Sequence, residues 1–208
     1  MKRLLLGLVI ISIFSFFVQA DSYLGPKGLL TIPTAAVARP GFYSLGASYT
    51  EKSIYANLKA TFINNVELGI AGAINRPLYG FFKWCLVEET SELPAVAVGA
   101  TGSAFYGVVS KNLTNKGLKG HLGFGTGRYG GIFGGISLIL NPVTVSPAGT
   151  ILPVVTIIGE FKDNSNLNEI PAVFNIGSRL QFKHNLSVDI GLLNFNALSI
   201  SACFTTKF

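Results

Sequence analysis

Charge is scarce in this 208-residue chain. Asp, Glu, Lys and Arg make up 12% of it, about half the ~25% of an ordinary soluble protein. A water-soluble globule of that length needs more charge on its outside. Long apolar runs are missing too: beyond residue 20, no apolar stretch reaches the ~20 residues that a membrane-crossing helix requires. Two cysteines, Cys85 and Cys203, and two histidines, His121 and His184, stand far apart, with no C-x-x-C or H-E-x-x-H spacing. Neither a metal nor another cofactor is expected. No serine lies in G-x-S-x-G, and no catalytic residue emerges from the spacing of Ser, His and acidic side chains. GFGTGRYGG over 123–131 looks like a phosphate-cradling loop, but the IFGGISLIL that follows reads as a strand, not as the helix such a loop needs. That segment is therefore expected to be a hairpin. The basic residues are dispersed and form no stripe with stacking aromatics, which argues against a nucleic-acid partner.

What is present begins at the N-terminus. Met1-Lys2-Arg3, an apolar stretch from Leu4 to Val18 and the small-x-small triplet Val18-Gln19-Ala20 predict a secretory signal peptide over 1–20, cleaved before Asp21. Its loss removes Lys2 and Arg3 and leaves 14 basic residues against 10 acidic ones, a net charge of +4. High hydropathy with little charge and no spanning helix leaves one design for a membrane protein. Every backbone N–H and C=O in lipid must be paired within the structure, and strands achieve that only as a closed barrel.

The rest of the chain fits that design. An N-terminal lead over 21–40, read as extended, precedes a barrel over 41–208. Twelve strands are predicted at 41–50, 53–63, 65–74, 79–87, 93–101, 104–111, 118–127, 132–140, 151–161, 172–183, 186–193 and 197–207. Their length suits a tilted bilayer crossing. The fold class is therefore all-β, a single antiparallel up-and-down transmembrane barrel in the outer membrane. In the last strand Leu198, Ile200, Ala202, Phe204 and Phe208 share one face, and Ser199, Ser201, Thr205 and Lys207 the other. Ile54, Leu58 and Phe62 oppose Tyr55, Asn57, Lys59 and Thr61 in the same way. Three strands, 93–101, 132–140 and 151–161, are apolar or glycine on both faces and do not reveal which side is which. Asn64-Asn65 and His184-Asn185 read as tight hairpin turns. Strand counting from a periplasmic N-terminus puts 162–171 outside the cell and 141–150 in the periplasm, and no loop is long enough to form a folded plug.

Alternation selects the candidate site. Lys59, Glu67, Lys83, Lys119, His121, Arg179 and Asp189 fall on the water-facing parity and are expected in the lumen, as a hydrated passage or as cross-strand pairs that fill it. Arg179 and Asp189 should be direct cross-strand neighbours. Cys85 and Cys203 fall four strands apart around the barrel, at about 4.8 Å per strand, too far for a disulfide.

The ending of the chain, with Phe204 and Phe208 on one face, resembles the C-terminal assembly signal of bacterial outer-membrane barrels. GLLTIPTAAVARPGFYSLGASYT (28–50), ELPAVAVGATG (92–102), VVSKNL (108–113) and HLGFGTGRYGGIFGG (121–135) together resemble the YjbH-like outer-membrane proteins associated with exopolysaccharide biosynthesis. These resemblances imply a non-enzymatic barrel acting in envelope or exopolysaccharide export and assembly. Its partners would be outer-membrane lipid, the barrel insertion machinery, and polysaccharide or export proteins. A small-solute pore and a structural envelope barrel with a blocked lumen are the alternatives from the residues themselves.

Overall fold

The computed structural model describes residues 21–51, 53–74, 76–115, 117–141, 152–163, 172–182 and 185–207. The predicted signal peptide, Phe208, His184 and nearly all of the two longest links lie outside them.

Twelve antiparallel strands close into one barrel. They are β1 (Phe42–Thr50), β2 (Ser53–Ile63), β3 (Val66–Ala73), β4 (Tyr79–Val87), β5 (Ala95–Thr101) and β6 (Ala104–Asn112), then β7 (Leu118–Gly125), β8 (Gly131–Ile139), β9 (Val154–Asp163), β10 (Ala172–Phe182), β11 (Leu186–Leu193) and β12 (Ala197–Lys207). Each pairs with its sequence neighbours, and β12 closes on β1 from Phe42↔Lys207 to Thr50↔Ser199. Two starts differ from expectation by more than one residue, for one reason. Pro94 and Pro153 have no N–H to give a ladder, so β5 and β9 begin just after them rather than at 93 and 151. β7 stops at Gly125 because Gly127–Tyr129 form a 3-10 turn whose chain leaves through Gly130 at φ 69°. Asn65 and Asn185 take left-handed backbone at φ 63° and 62°, where asparagine is tolerated better than most residues.

Alternation separates two surfaces. Leu45, Tyr49, Ile54, Leu58, Ile70, Trp84, Phe105, Leu122, Phe124, Ile136, Phe174, Ile190, Ile200 and Phe204 all point out and remain exposed, which gives a continuous apolar belt. In water such a belt would far exceed the few hundred Å² of apolar patch that soluble monomers show. The opposite parity is buried and carries the charges: Lys59, Glu67, Lys83, Arg179 and Asp189.

The interior is not empty. Residues 21–40, expected to be an extended lead, are turned back on themselves, with isolated bridges Asp21↔Lys27 and Gly28↔Pro33. Their partners lie on β1, β2, β3, β4, β6, β9 and β10. A segment that touches strands on all sides of a closed barrel lies within it. The expectation of an extended lead is thus corrected: no loop fills the barrel among the described residues, but the lead does. It carries its own apolar residues. Leu24, Leu29, Leu30, Ile32 and Ala35 join Ala95, Ala97, Tyr106, Val108, Phe133 and Ile158 in one buried cluster. This explains the strands that are apolar on both faces, since their outer side chains meet the belt and their inner ones meet the lead.

Small residues on the wall make room for it. A Cβ added at Gly135 would fall 2.6 Å from Leu29 Cδ1 and 2.7 Å from the Gly159 carbonyl oxygen, and one at Gly191 would fall 2.9 Å from Leu30 Cδ1. Gly107 faces outward with nothing within 4 Å. Gly135→Ala should therefore destabilise the folded barrel by ~1–3 kcal/mol through overpacking, whereas Gly107→Ala should leave it unchanged. Thermal unfolding followed by heat-modifiable gel migration checks both, and equal midpoints for the two variants would contradict the packing described.

Candidate functional site

The inward charges act on the main chain of the lead. Glu160 on β9 is the clearest case: its carboxylate accepts the N–H groups of Leu30 at 3.1 Å and Thr31 at 2.9 Å, and the side-chain amide of Asn175 at 2.8 Å. On the neighbouring strand β10, Arg179 makes the complementary contact. Its Nε and Nη2 each reach Asp189 at 2.8 Å, and the same guanidinium donates to the carbonyls of Gly28 at 3.0 Å and Leu29 at 3.2 Å. The planar fork of arginine allows one side chain to serve a carboxylate and two carbonyls together. One carboxylate thus takes N–H groups of the lead while one guanidinium takes its carbonyls, within four consecutive residues.

A second cluster holds the preceding stretch. Lys59 pairs with Asp21, which also accepts the Ser44 hydroxyl at 2.9 Å. Glu67 accepts the Lys27 N–H at 2.7 Å and lies 3.2 Å from the Lys83 ammonium, which donates to the Lys27 carbonyl at 2.8 Å. Both Glu67 and Lys83 are 0% exposed, so neither has water to fall back on. Further along, the Ser110 hydroxyl accepts the Ala35 N–H at 2.9 Å and hydrogen-bonds His121 Nδ1 at 2.8 Å. The hydroxyl accepts the Ala35 hydrogen bond and still has its own O–H to offer, and the tautomer of the imidazole sets which of Ser110 and His121 donates. This contact joins a serine and a histidine, but its hydroxyl is committed to the lead, and no carboxylate is hydrogen-bonded to His121 among the described residues.

Of the seven residues picked out by parity, Lys59, Glu67, Lys83, His121, Arg179 and Asp189 are buried in the interior around the lead, His121 reaching it through Ser110 and Asp189 through Arg179. Lys119 stands apart. It sits at the rim nearer the chain termini and meets Glu89 of the β4–β5 link at 2.6 Å. Partial burial would raise the Glu89 carboxyl, but the Lys119 ammonium and the Asn112 N–H outweigh it and hold Glu89 below the ordinary carboxylate range. Of the two residues expected in the assembly signal, Phe204 faces outward on β12 beside Leu45 and Leu186. Phe208 lies outside the described residues. Sequence reading overlooked Glu160, Asn175, Asp21 and Ser110. Glu160 did carry a signal, as the one carboxylate in the apolar run VVTIIGEF. Among the described residues, no group of three His, Cys, Asp or Glu side chains is placed to hold a metal.

No family model matches the sequence, and no curated protein matches it. Among solved structures, the Acinetobacter baumannii outer membrane protein Omp33 is similar, with a TM-score of 0.47 and 10% sequence identity over 81% of this chain and 98% of that one.

Arg179 and Glu160 yield a paired prediction. Glu160→Gln keeps the side-chain shape but removes the charge that strengthens its bonds to the lead, which are of a kind worth ~1.5–3 kcal/mol each. Hydrogen exchange of the amides of Leu30 and Thr31 should speed up while the strand amides stay protected. Arg179→Leu leaves Asp189 buried and unpaired, at a cost of ~3–5 kcal/mol to the whole barrel. Adding Asp189→Asn should restore much of the barrel's stability without restoring slow exchange in the lead. Identical exchange in the wild type and both single variants would mean that these side chains do not hold the lead.

Proposed function

We propose that this protein is a non-enzymatic outer-membrane barrel that its own N-terminal lead keeps closed, and that it serves envelope or exopolysaccharide assembly as a membrane-embedded component, not as an open conduit. The observation that carries the closed reading is the pairing of the lead's backbone with Glu160 and Arg179 in mid-lumen. A free-running polymer or a hydrated solute path needs the volume that Leu29, Leu30 and Ile32 fill. Membrane placement is supported by the apolar belt on every side of the barrel, which lipid would cover, and by the closure of β12 on β1, which leaves no ladder edge in hydrocarbon. The link to polysaccharide rests on the YjbH-like resemblance of residues 28–135.

Lipid and the barrel insertion machinery are the partners this reading requires. Phe204, outward on β12, and the aromatic Phe208 that follows it in the sequence are the residues that would carry a signal read during insertion. Deleting Phe208, or Phe208→Asp, should lower the folded protein recovered in outer membranes far more than Lys207→Asp. Equal recovery would reject the signal.

Planar-bilayer recording tests closure directly. The wild type should show no sustained conductance, and Glu160→Gln or deletion of residues 21–38 should produce openings. A steady conductance from the wild type, unchanged by either alteration, would establish the small-solute pore instead.

A further inference from the structure

We propose that the mouth of the barrel opposite the chain termini binds an acidic saccharide, a sugar ring that carries a carboxylate. The proposal deepens the reading of an envelope-polysaccharide role and rests on the lead staying in place, because the lead forms part of the cavity wall.

The mouth contains a cavity of about 450 Å³ in which Arg76, Arg128 and Lys162 converge with Tyr23, Tyr55 and Tyr79. That volume lies within the range of ordinary small-ligand sites. The residues come from five places in the chain: the lead, β2, the β3–β4 link with the start of β4, the 3-10 turn between β7 and β8, and the end of β9. No carboxylate lines the cavity among the described residues. Three like charges gathered around one cavity repel each other and form no ion pair among the described residues, whereas the lysines and arginine deeper in the lumen are paired with Asp21, Glu67 and Asp189. Their convergence makes chemical sense with an anion between them.

The aromatic groups narrow the class. Tyr23 and Tyr55 pack with ring centroids 5.0 Å apart and an interplanar angle of 58°, and Arg128 lies over the Tyr79 ring at 4.1 Å. The Arg128 carbonyl accepts the Lys162 ammonium at 3.1 Å, and the Tyr79 hydroxyl reaches the Leu24 carbonyl at 3.4 Å. These contacts hold the cations and rings in place before any ligand arrives, which lowers the cost of ordering them on binding. A flat apolar ring edge bounded by guanidinium groups suits a ligand with a C–H-rich ring face and a carboxylate at its edge. A simple inorganic anion would use the cations but not the tyrosines, and a neutral sugar the tyrosines but not the cations.

Titration of the purified full-length protein in detergent, followed by calorimetry, separates these cases. The probes are trigalacturonate, maltotriose as the neutral sugar and citrate as the anion without a sugar. Trigalacturonate should bind and weaken as salt rises, and the other two should bind at least ~tenfold more weakly, the scale of losing one charged hydrogen bond. Arg128→Gln should weaken trigalacturonate by a similar factor, and so should Arg76→Gln, which leaves the 3-10 turn alone and guards against misfolding of the first variant. Lys111→Gln, at the opposite rim, should have no effect. Equal binding of citrate or maltotriose would overturn the proposal, as would no binding of trigalacturonate to protein that still migrates as folded barrel. If the closed-barrel reading itself is wrong, that shows as wild-type conductance, which is measured independently of any sugar.

Discussion

A carboxylate, guanidinium or ammonium turned into a closed barrel has no bulk water to return to, and an isolated charge there is costly enough that it must be neutralised or hydrogen-bonded. Cross-strand pairing satisfies part of this need, as Arg179 with Asp189 and Lys83 with Glu67 show. It leaves lone pairs and N–H groups over. The backbone of the lead has the opposite problem, since a chain without regular ladder partners brings unpaired amides into the interior. Each solves the other's difficulty. Glu160 takes two amides, Arg179 two carbonyls, Lys83 and Glu67 one of each, and the irregular course of residues 21–35 follows where those groups stand.

The same arrangement accounts for the apolar residues. A barrel of twelve strands that held only its own side chains would need large ones on every inner position. Here many inner positions are small, including Ala95, Ala97, Gly135, Gly177 and Gly191, and the volume they leave is filled by Leu24, Leu29, Leu30 and Ile32. Polar and apolar contacts to the lead are interleaved around it. A shift of the lead by one residue would set its leucines against charges and its amides against alanine and glycine.

With the middle closed, the two mouths become separate environments. The mouth at the chain termini holds Glu88, Glu89 and Lys119 around the exit of the lead. The opposite mouth is cationic and rich in tyrosine. An open pore would place the two in series along one solute path. In the proposed closed barrel each mouth addresses its own side of the membrane, so binding at one would not require passage to the other.

Strand number, strand positions and the outward or inward parity of most side chains were legible in the sequence, because alternation with a period of two is a local property and a register slip of one residue would reverse it. The alignment of Arg179 with Asp189 followed from a short turn at 184–185 and is the register found. The role of the inward charges was not legible. Lys59, Glu67, Lys83 and Arg179 show their face in the sequence, but what they bind is a segment up to 151 positions away. Nothing in GLLTIPTA marks it as the filling of a barrel, because a short irregular segment has no periodicity of its own. Only closure of the sheet brings β3, β6, β9 and β10 around one axis, and folding of the lead back into it brings Glu160 and Arg179, on the neighbouring strands β9 and β10, to the same four residues. The sequence by itself determined a barrel and its two faces, since those depend on near neighbours along each strand. That residues 21–35 occupy the interior depends on contacts between the lead and strands remote from it, and the tertiary structure alone decided that.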